Sequence, residues 1–164
     1  MGRLRKSHEE GHNRKFLVVI DETPECGTAL SYAAIRAEHT GGGLVLLYVV
    51  EPGGFQHWLG VENIMRAEAI EEARMKLTDF AEAARAKALV DPELIVREGQ
   101  VTEEIVNLIS EDEDIAILVL GAAESSDGPG PLVSAIASGG TGSLAIPVTI
   151  VPGDLTDEEI LAIA

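Results

Sequence analysis

A single cysteine, Cys26, leaves the chain without any internal disulfide framework, and that usage suits a reducing compartment. No apolar run approaches the length that crosses a bilayer, and the start Met1-Gly2-Arg3-Leu4-Arg5-Lys6-Ser7-His8 has no apolar middle of a secretory signal. A cytoplasmic setting without membrane contact is therefore the expectation. Cationic side chains are scarce and unevenly placed: five of the twelve Lys and Arg lie in the first fifteen positions, and none follows Arg97. The 67 residues after Arg97 carry thirteen Asp and Glu, within a net charge of −16. A surface of that sign repels polyanions, which argues against nucleic-acid binding by the folded part. Catalytic signatures are missing as well: there is no Ser-His-Asp order, no nucleophile elbow, no paired cysteine and no P-loop lysine pattern. The reading is a non-enzyme, with slow nucleotide hydrolysis the one activity worth testing.

What the chain does have is apolar runs. At 164 residues and 46% hydrophobic content it suits one domain with a single core. Ile115-Ala116-Ile117-Leu118-Val119-Leu120, closed by Gly121, reads as a strand buried on both faces in the middle of a parallel sheet. The loop after it, Ala122 to Pro131, leaves the carboxyl end of that strand, where open α/β sheets bind ligands. Four further strands are read at Phe16–Ile20, Leu44–Val50, Glu93–Arg97 and Ile146–Val151. The third is more polar and the last contains Pro147, so both are placed at sheet edges.

Between the strands lie helices. Thr23, Pro24 and Glu25 supply an N-cap, a first helical position and an acid at the positive end of the dipole. Cys26, Leu30, Ala33 and Ala37 then fall on one face. Cys26 near a helix N-terminus suggests an activated, redox-sensing thiol, but its place on the apolar stripe favours a buried packing residue. Gly41-Gly42-Gly43 ends this helix. Phe55, His57 and Trp58, in the Gly-rich loop after Val50, could stack on a ligand, cap the core or meet a second subunit. Residues from about 61 to 88 form a long helix with Ile70, Ala73, Leu77, Phe80 and Ala84 on its inner stripe. Thr102 is placed as the N-cap of the next helix, which turns Val101, Ile105, Leu108 and Ile109 inward. Leu132 to about Ala137 is a short helix broken by Gly139-Gly140-Thr141-Gly142. Thr156 and Glu159 have capping-box spacing before Ile160, Leu161 and Ile163.

The outcome is a doubly wound α/β domain with a five-stranded parallel sheet of order 3-2-1-4-5. Residues 1–13 are read as a disordered basic arm, 14–153 as the domain, and 154–164 as a tail that ends in a short helix.

At this point Val18-Val19-Ile20-Asp21, Leu47-Tyr48-Val49-Val50, Leu118-Val119-Leu120-Gly121 and Ile146-Pro147-Val148-Thr149-Ile150-Val151 together resemble the universal stress protein family, over about residues 14 to 153. The resemblance implies a Rossmann-like domain. In ATP-binding members a Gly-x-x-Gly, nine residues, Gly-Ser/Thr motif follows the fourth strand. Gly121 matches its first glycine, but Glu124, Ser134 and Ala135 replace the other three positions. Glycines there let backbone N–H groups approach phosphates, and Glu124 sets a carboxylate where an anion should sit. Against this, Gly128-Pro129-Gly130-Pro131-Leu132-Val133-Ser134 supplies two glycines and a helix start that can cradle an anion. Val19, Asp21 and Val49 match the family positions that contact adenine and ribose, although core and turn roles explain them equally well.

Two functions follow. The first is a dimeric, non-enzymatic binding and interaction module in stress response, without the usual ATP motif and with no firm cofactor. By resemblance its homodimer pairs the last strand, Val148, Thr149, Ile150 and Val151, and its other partner is an unidentified protein. The alternative is an adenine-nucleotide sensor for ATP or AMP with Mg²⁺, using Val19, Asp21, Val49, Gly121, Gly128, Gly130 and Ser134.

Overall fold

In the computed structural model, which describes residues 3–52, 61–124, 127–139 and 144–164, strands and helices alternate along the chain. The first half contains β1 (Lys15–Val19), α1 (Glu25–Thr40), β2 (Gly43–Val50) and α2 (Val61–Lys87). The second contains β3 (Glu93–Glu98), α3 (Val101–Glu111), β4 (Ile115–Ala122), α4 (Pro131–Gly139), β5 (Val148–Pro152) and α5 (Asp157–Ile163). The strands form one sheet in the order β3-β2-β1-β4-β5, and every pairing is parallel. This is the expected doubly wound arrangement. Val18 lies between Leu46 of β2 and Val119 of β4, so the strand order reverses at β1. Two crossovers leave the sheet in opposite directions there, and their loops part to open a crevice.

Strand alternation divides the core into two layers. Val18, Leu46, Val119 and Val151 face α1, α2 and α5, where Ala33, Ala37, Leu77 and Ile160 meet them. Leu17, Val45 and Leu118 face α3 and α4, against Ile105, Leu108, Val133 and Ile136. The alanines of α1 let that helix approach the sheet closely, and its stripe Cys26, Leu30, Ala33 and Ala37 is buried as the spacing predicts. Gly41 ends α1 with φ of 67°, in the left-handed region.

Several local expectations are corrected. Thr23 does not cap α1: the N-cap position is Pro24, and the Thr23 hydroxyl donates to Asp21 Oδ1 instead. Thr102 lies inside α3, whose N-cap is Gln100, and its hydroxyl donates to Gln100 Oε1 at 2.6 Å. In both cases the helix begins at a neighbouring residue, Pro24 or Gln100, and the threonine hydroxyl makes a local side-chain bond instead. The last strand begins at Val148 rather than Ile146; Pro147 precedes it and uses its carbonyl to accept the Leu118 N–H at 3.0 Å. At the tail, Thr156 and Glu159 do form a capping box, and Ile160 of α5 is buried to 1%.

The amino-terminal arm differs most from its reading as a disordered segment. Residues 3–13 lie against the turn between α3 and β4. Arg5 Nη1 donates to the carbonyls of Ile109, Asp112 and Ile115 at 2.6, 3.0 and 3.2 Å. Lys6 pairs with Glu113, and His12 with Asp114. The cause is a mutual need: α3 ends in Glu111 and Asp112 with no basic residue in its last turn, an unfavourable sign for the negative end of a helix. The arm brings the missing cations. The loop bearing Phe55, His57 and Trp58, and the break at Gly140, Thr141 and Gly142, lie outside the described residues.

Candidate functional site

Beyond the end of β1 the chain must turn into α1. Asp21 makes that turn, because its Oδ1 accepts both the Thr23 N–H at 2.9 Å and the Thr23 hydroxyl at 2.5 Å. The two bonds fix the carboxylate at the mouth of the crevice. Beside it, the ends of β1 and β2 present Val19 and Val49, and the starts of α3 and α4 face them with Val101 and Leu132. Together these residues enclose a cleft of about 510 Å³, within the range of small-ligand sites. Its rim carries Glu51, Gln100 and Thr102. The floor is therefore apolar, with a few polar groups around it.

Val19, Asp21 and Val49, proposed from sequence, thus share one cleft. Gly121 and Gly130 border a small adjoining cavity of about 30 Å³, which shares Val19, Asp21 and Leu132 with the cleft. Gly128 and Ser134 line neither cavity. Ser134 is exposed on α4, where its N–H closes a helical bond to Gly130.

The role of Gly121 is packing. A Cβ on it would stand 2.4 Å from the carbonyl oxygen of Glu25, so β4 and the first turn of α1 touch backbone to backbone. The loop that follows closes on itself: the Ala123 N–H donates to the Pro129 carbonyl at 2.8 Å. Gly130 takes φ of 110°, and a Cβ there would lie 3.6 Å from Glu25 Oε1. Sequence reasoning assigned the carboxylate in this region to Glu124. The structure assigns it to Glu25. Gly153 donates its N–H to Ala122 at 3.0 Å, which brings the turn after β5 beside the end of β4. Glu124 consequently hydrogen-bonds Asp154, and this shared contact raises its carboxyl above the usual range. Nothing in the spacing of Glu25 signalled its place, since only the approach of β4 to α1 creates it.

Charge around the cleft is one-sided. Asp21, Glu22 and Glu51 line it, and none of the described lining residues is Lys or Arg. Lys76 of α2 lies at the outer edge, where it pairs with Glu22 and sits 5.6 Å from the centre of the Tyr48 ring. Its hydrogen bond holds the Glu22 carboxyl below the ordinary range. Among the described residues no group of three or more His, Cys, Asp and Glu is placed to hold a metal ion. Cys26 lies just behind the floor, donating through Sγ to the Val19 carbonyl at 3.7 Å. Burial pushes its thiol up to about 11, which favours the packing role over an activated thiolate.

Comparison with known proteins agrees with this architecture. No curated protein matches the sequence. UspA from Lactobacillus plantarum superposes with a TM-score of 0.70 at 16% identity, over 84% of this chain and 97% of that one. A universal stress protein in complex with cAMP gives 0.64 at 18% identity, over 84% and 96%. The universal stress protein from Archaeoglobus fulgidus in complex with dAMP gives 0.57 at 20%, over 84% and 97%. At these identities the superpositions speak for the fold. The sequence profile of the Universal stress protein family matches residues 12–152, which span β1 to β5. With the profile and the 3-2-1-4-5 sheet in agreement over nearly the whole domain, the chain belongs to the universal stress protein family.

Proposed function

We propose that the protein is a non-enzymatic sensor that binds the adenosine part of an adenine compound in the cleft at the strand switch. The observation that carries this is the meeting of Val19, Asp21 and Val49 in one cleft of about 510 Å³. Val19 and Val49 supply an apolar surface suited to a base. Asp21, with Oδ1 already oriented by Thr23, offers a carboxylate that accepts from ribose hydroxyls. Solved relatives in complex with cAMP and dAMP support an adenine ligand. Binding is the whole role in this reading.

The test is thermal unfolding of the full chain with and without adenosine, together with chromatography of any nucleotide released from the purified protein. A ligand at about a hundred times its dissociation constant adds about 2.7 kcal/mol. For a domain of this size that is a rise of about 5–11 °C. An unchanged midpoint with adenosine, with no adenine compound released, rejects the reading.

A second reading, pairing of two copies through β5, has its own observation. On this edge strand Ile150 is 48% exposed, an apolar side chain on an unpaired edge. Sedimentation equilibrium is expected to show a dimer that Ile150→Lys dissociates. A monomeric wild type rejects it.

A further inference from the structure

We propose that Glu25 is a built-in substitute for a ligand phosphate, so that the cleft takes adenine nucleosides with a neutral or positively charged 5′ group and turns away 5′-phosphates. The inference rests on the adenosine-binding reading and adds the class of ligand. If the base meets Val19 and Val49 and the ribose meets Asp21, the 5′ substituent points along the shared wall into the small cavity at Gly121 and Gly130. That cavity lies at the start of α4, where a phosphate would ordinarily find backbone N–H groups and the positive end of a helix.

Three observations show the place already used. The Glu25 side chain lines the cavity, with Oε1 3.6 Å from where a Cβ on Gly130 would stand. The cavity holds about 30 Å³, room for a few water molecules at most and too small for a phosphate chain. The Ala123 N–H, in the loop that follows β4, is already bound to the Pro129 carbonyl and is not open to an anion. Electrostatics then extend what the geometry begins. Asp21 and Glu51 line the adjoining cleft, Glu22 beside them is paired with Lys76 at the outer edge, and none of the described lining residues is Lys or Arg. A phosphate entering there meets carboxylates at short range in a half-enclosed site, whereas an ammonium or sulfonium group at the 5′ carbon is attracted.

Four probes test this on the full chain: adenosine, 5′-amino-5′-deoxyadenosine, AMP and ATP, the last two with and without Mg²⁺. Affinities are measured by isothermal titration, for the wild type and for Glu25→Gln. The amino nucleoside is expected to bind tightest and adenosine next, with AMP and ATP weaker than adenosine by at least about tenfold. Glu25→Gln is expected to narrow the gap between AMP and adenosine and to weaken the amino nucleoside. Wild-type binding of AMP or ATP as tight as adenosine, with or without Mg²⁺, overturns the role of Glu25 and leaves adenosine binding standing. An unchanged ranking in Glu25→Gln overturns it too. Absence of binding by all four probes rejects the adenosine site itself, and this inference with it.

Discussion

Replacing Gly121 by alanine separates a packing role from a ligand role at the one glycine that matches the family motif. A methyl group there would be 2.4 Å from the Glu25 carbonyl oxygen, 2.9 Å from its carbonyl carbon and 3.0 Å from its Cβ. The two nearest atoms are backbone, so no side-chain rotation relieves the overlap. Neither partner is free to retreat. Gly121 pairs with Val151 in a strand flanked on both sides, and Glu25 opens a helix whose next residue, Cys26, is 3% exposed. Overpacking of this kind costs about 1–3 kcal/mol, and a backbone-to-backbone clash belongs at the upper end. The midpoint of thermal unfolding is then expected to fall by about 6–12 °C. Gly27 serves as the control, since it lies in α1 with nothing within 4 Å of its Cβ position. Gly27→Ala is expected to stabilise by about 0.5–1 kcal/mol. Urea unfolding followed by far-UV circular dichroism reads both variants at constant m-value. A Gly121→Ala protein within about 0.5 kcal/mol of the wild type, or one that keeps its stability and loses adenosine binding, refutes the packing assignment.

Two further outcomes follow from the same contacts. Arg5→Ala removes the donor to three carbonyls between the end of α3 and the start of β4 and is expected to cost about 1–3 kcal/mol, with faster tryptic cleavage of the arm; unchanged stability and cleavage reject the arm as part of the fold. The Cys26 thiol is raised from 9.0 to about 11 by burial, so its stability contribution is complete below pH 9 and is lost as pH rises toward 11. The loss is about 1.4 kcal/mol per pH unit, about 2–3 kcal/mol in all, and its absence in Cys26→Ala checks the source. Iodoacetamide at pH 8 is expected to label Cys26 only after unfolding, and rapid labelling of the folded chain contradicts its burial.

Burial on both faces makes a strand readable from its composition alone, and this is why Leu44–Val50 and Ile115–Leu120 were legible with their parallel pairing. The α1 stripe and the capping box at Thr156 were legible for a related reason, since each depends on residues within a turn or two of one another. Thr23 and Thr102 were misassigned because the exact residue at which each helix starts is set by the backbone, which places Pro24 and Gln100 at the caps, and their hydroxyls bond Asp21 and Gln100 instead. The arm was misread because its partners lie more than a hundred residues away: Arg5 meets Ile109, Asp112 and Ile115 only after β1 and β4 have paired.

For the site the division is sharper. Val19, Asp21 and Val49 were named from the family resemblance, and they meet in one cleft because β1 and β2 are parallel neighbours whose carboxyl ends open side by side. The phosphate side does not follow in this way. Whether Gly128 and Ser134 face a ligand, and which carboxylate lies beside Gly130, depend on how closely β4 approaches α1 and on the turn after β5 drawing Glu124 to Asp154. The sequence by itself determined the sheet and its order, since local periodicity and chain connectivity are enough for those, while the family resemblance supplied the residues at one edge of the cleft. Only the tertiary structure decided that Glu25 stands at the other edge, because a contact between two backbones distant in the chain has no pattern in either segment alone.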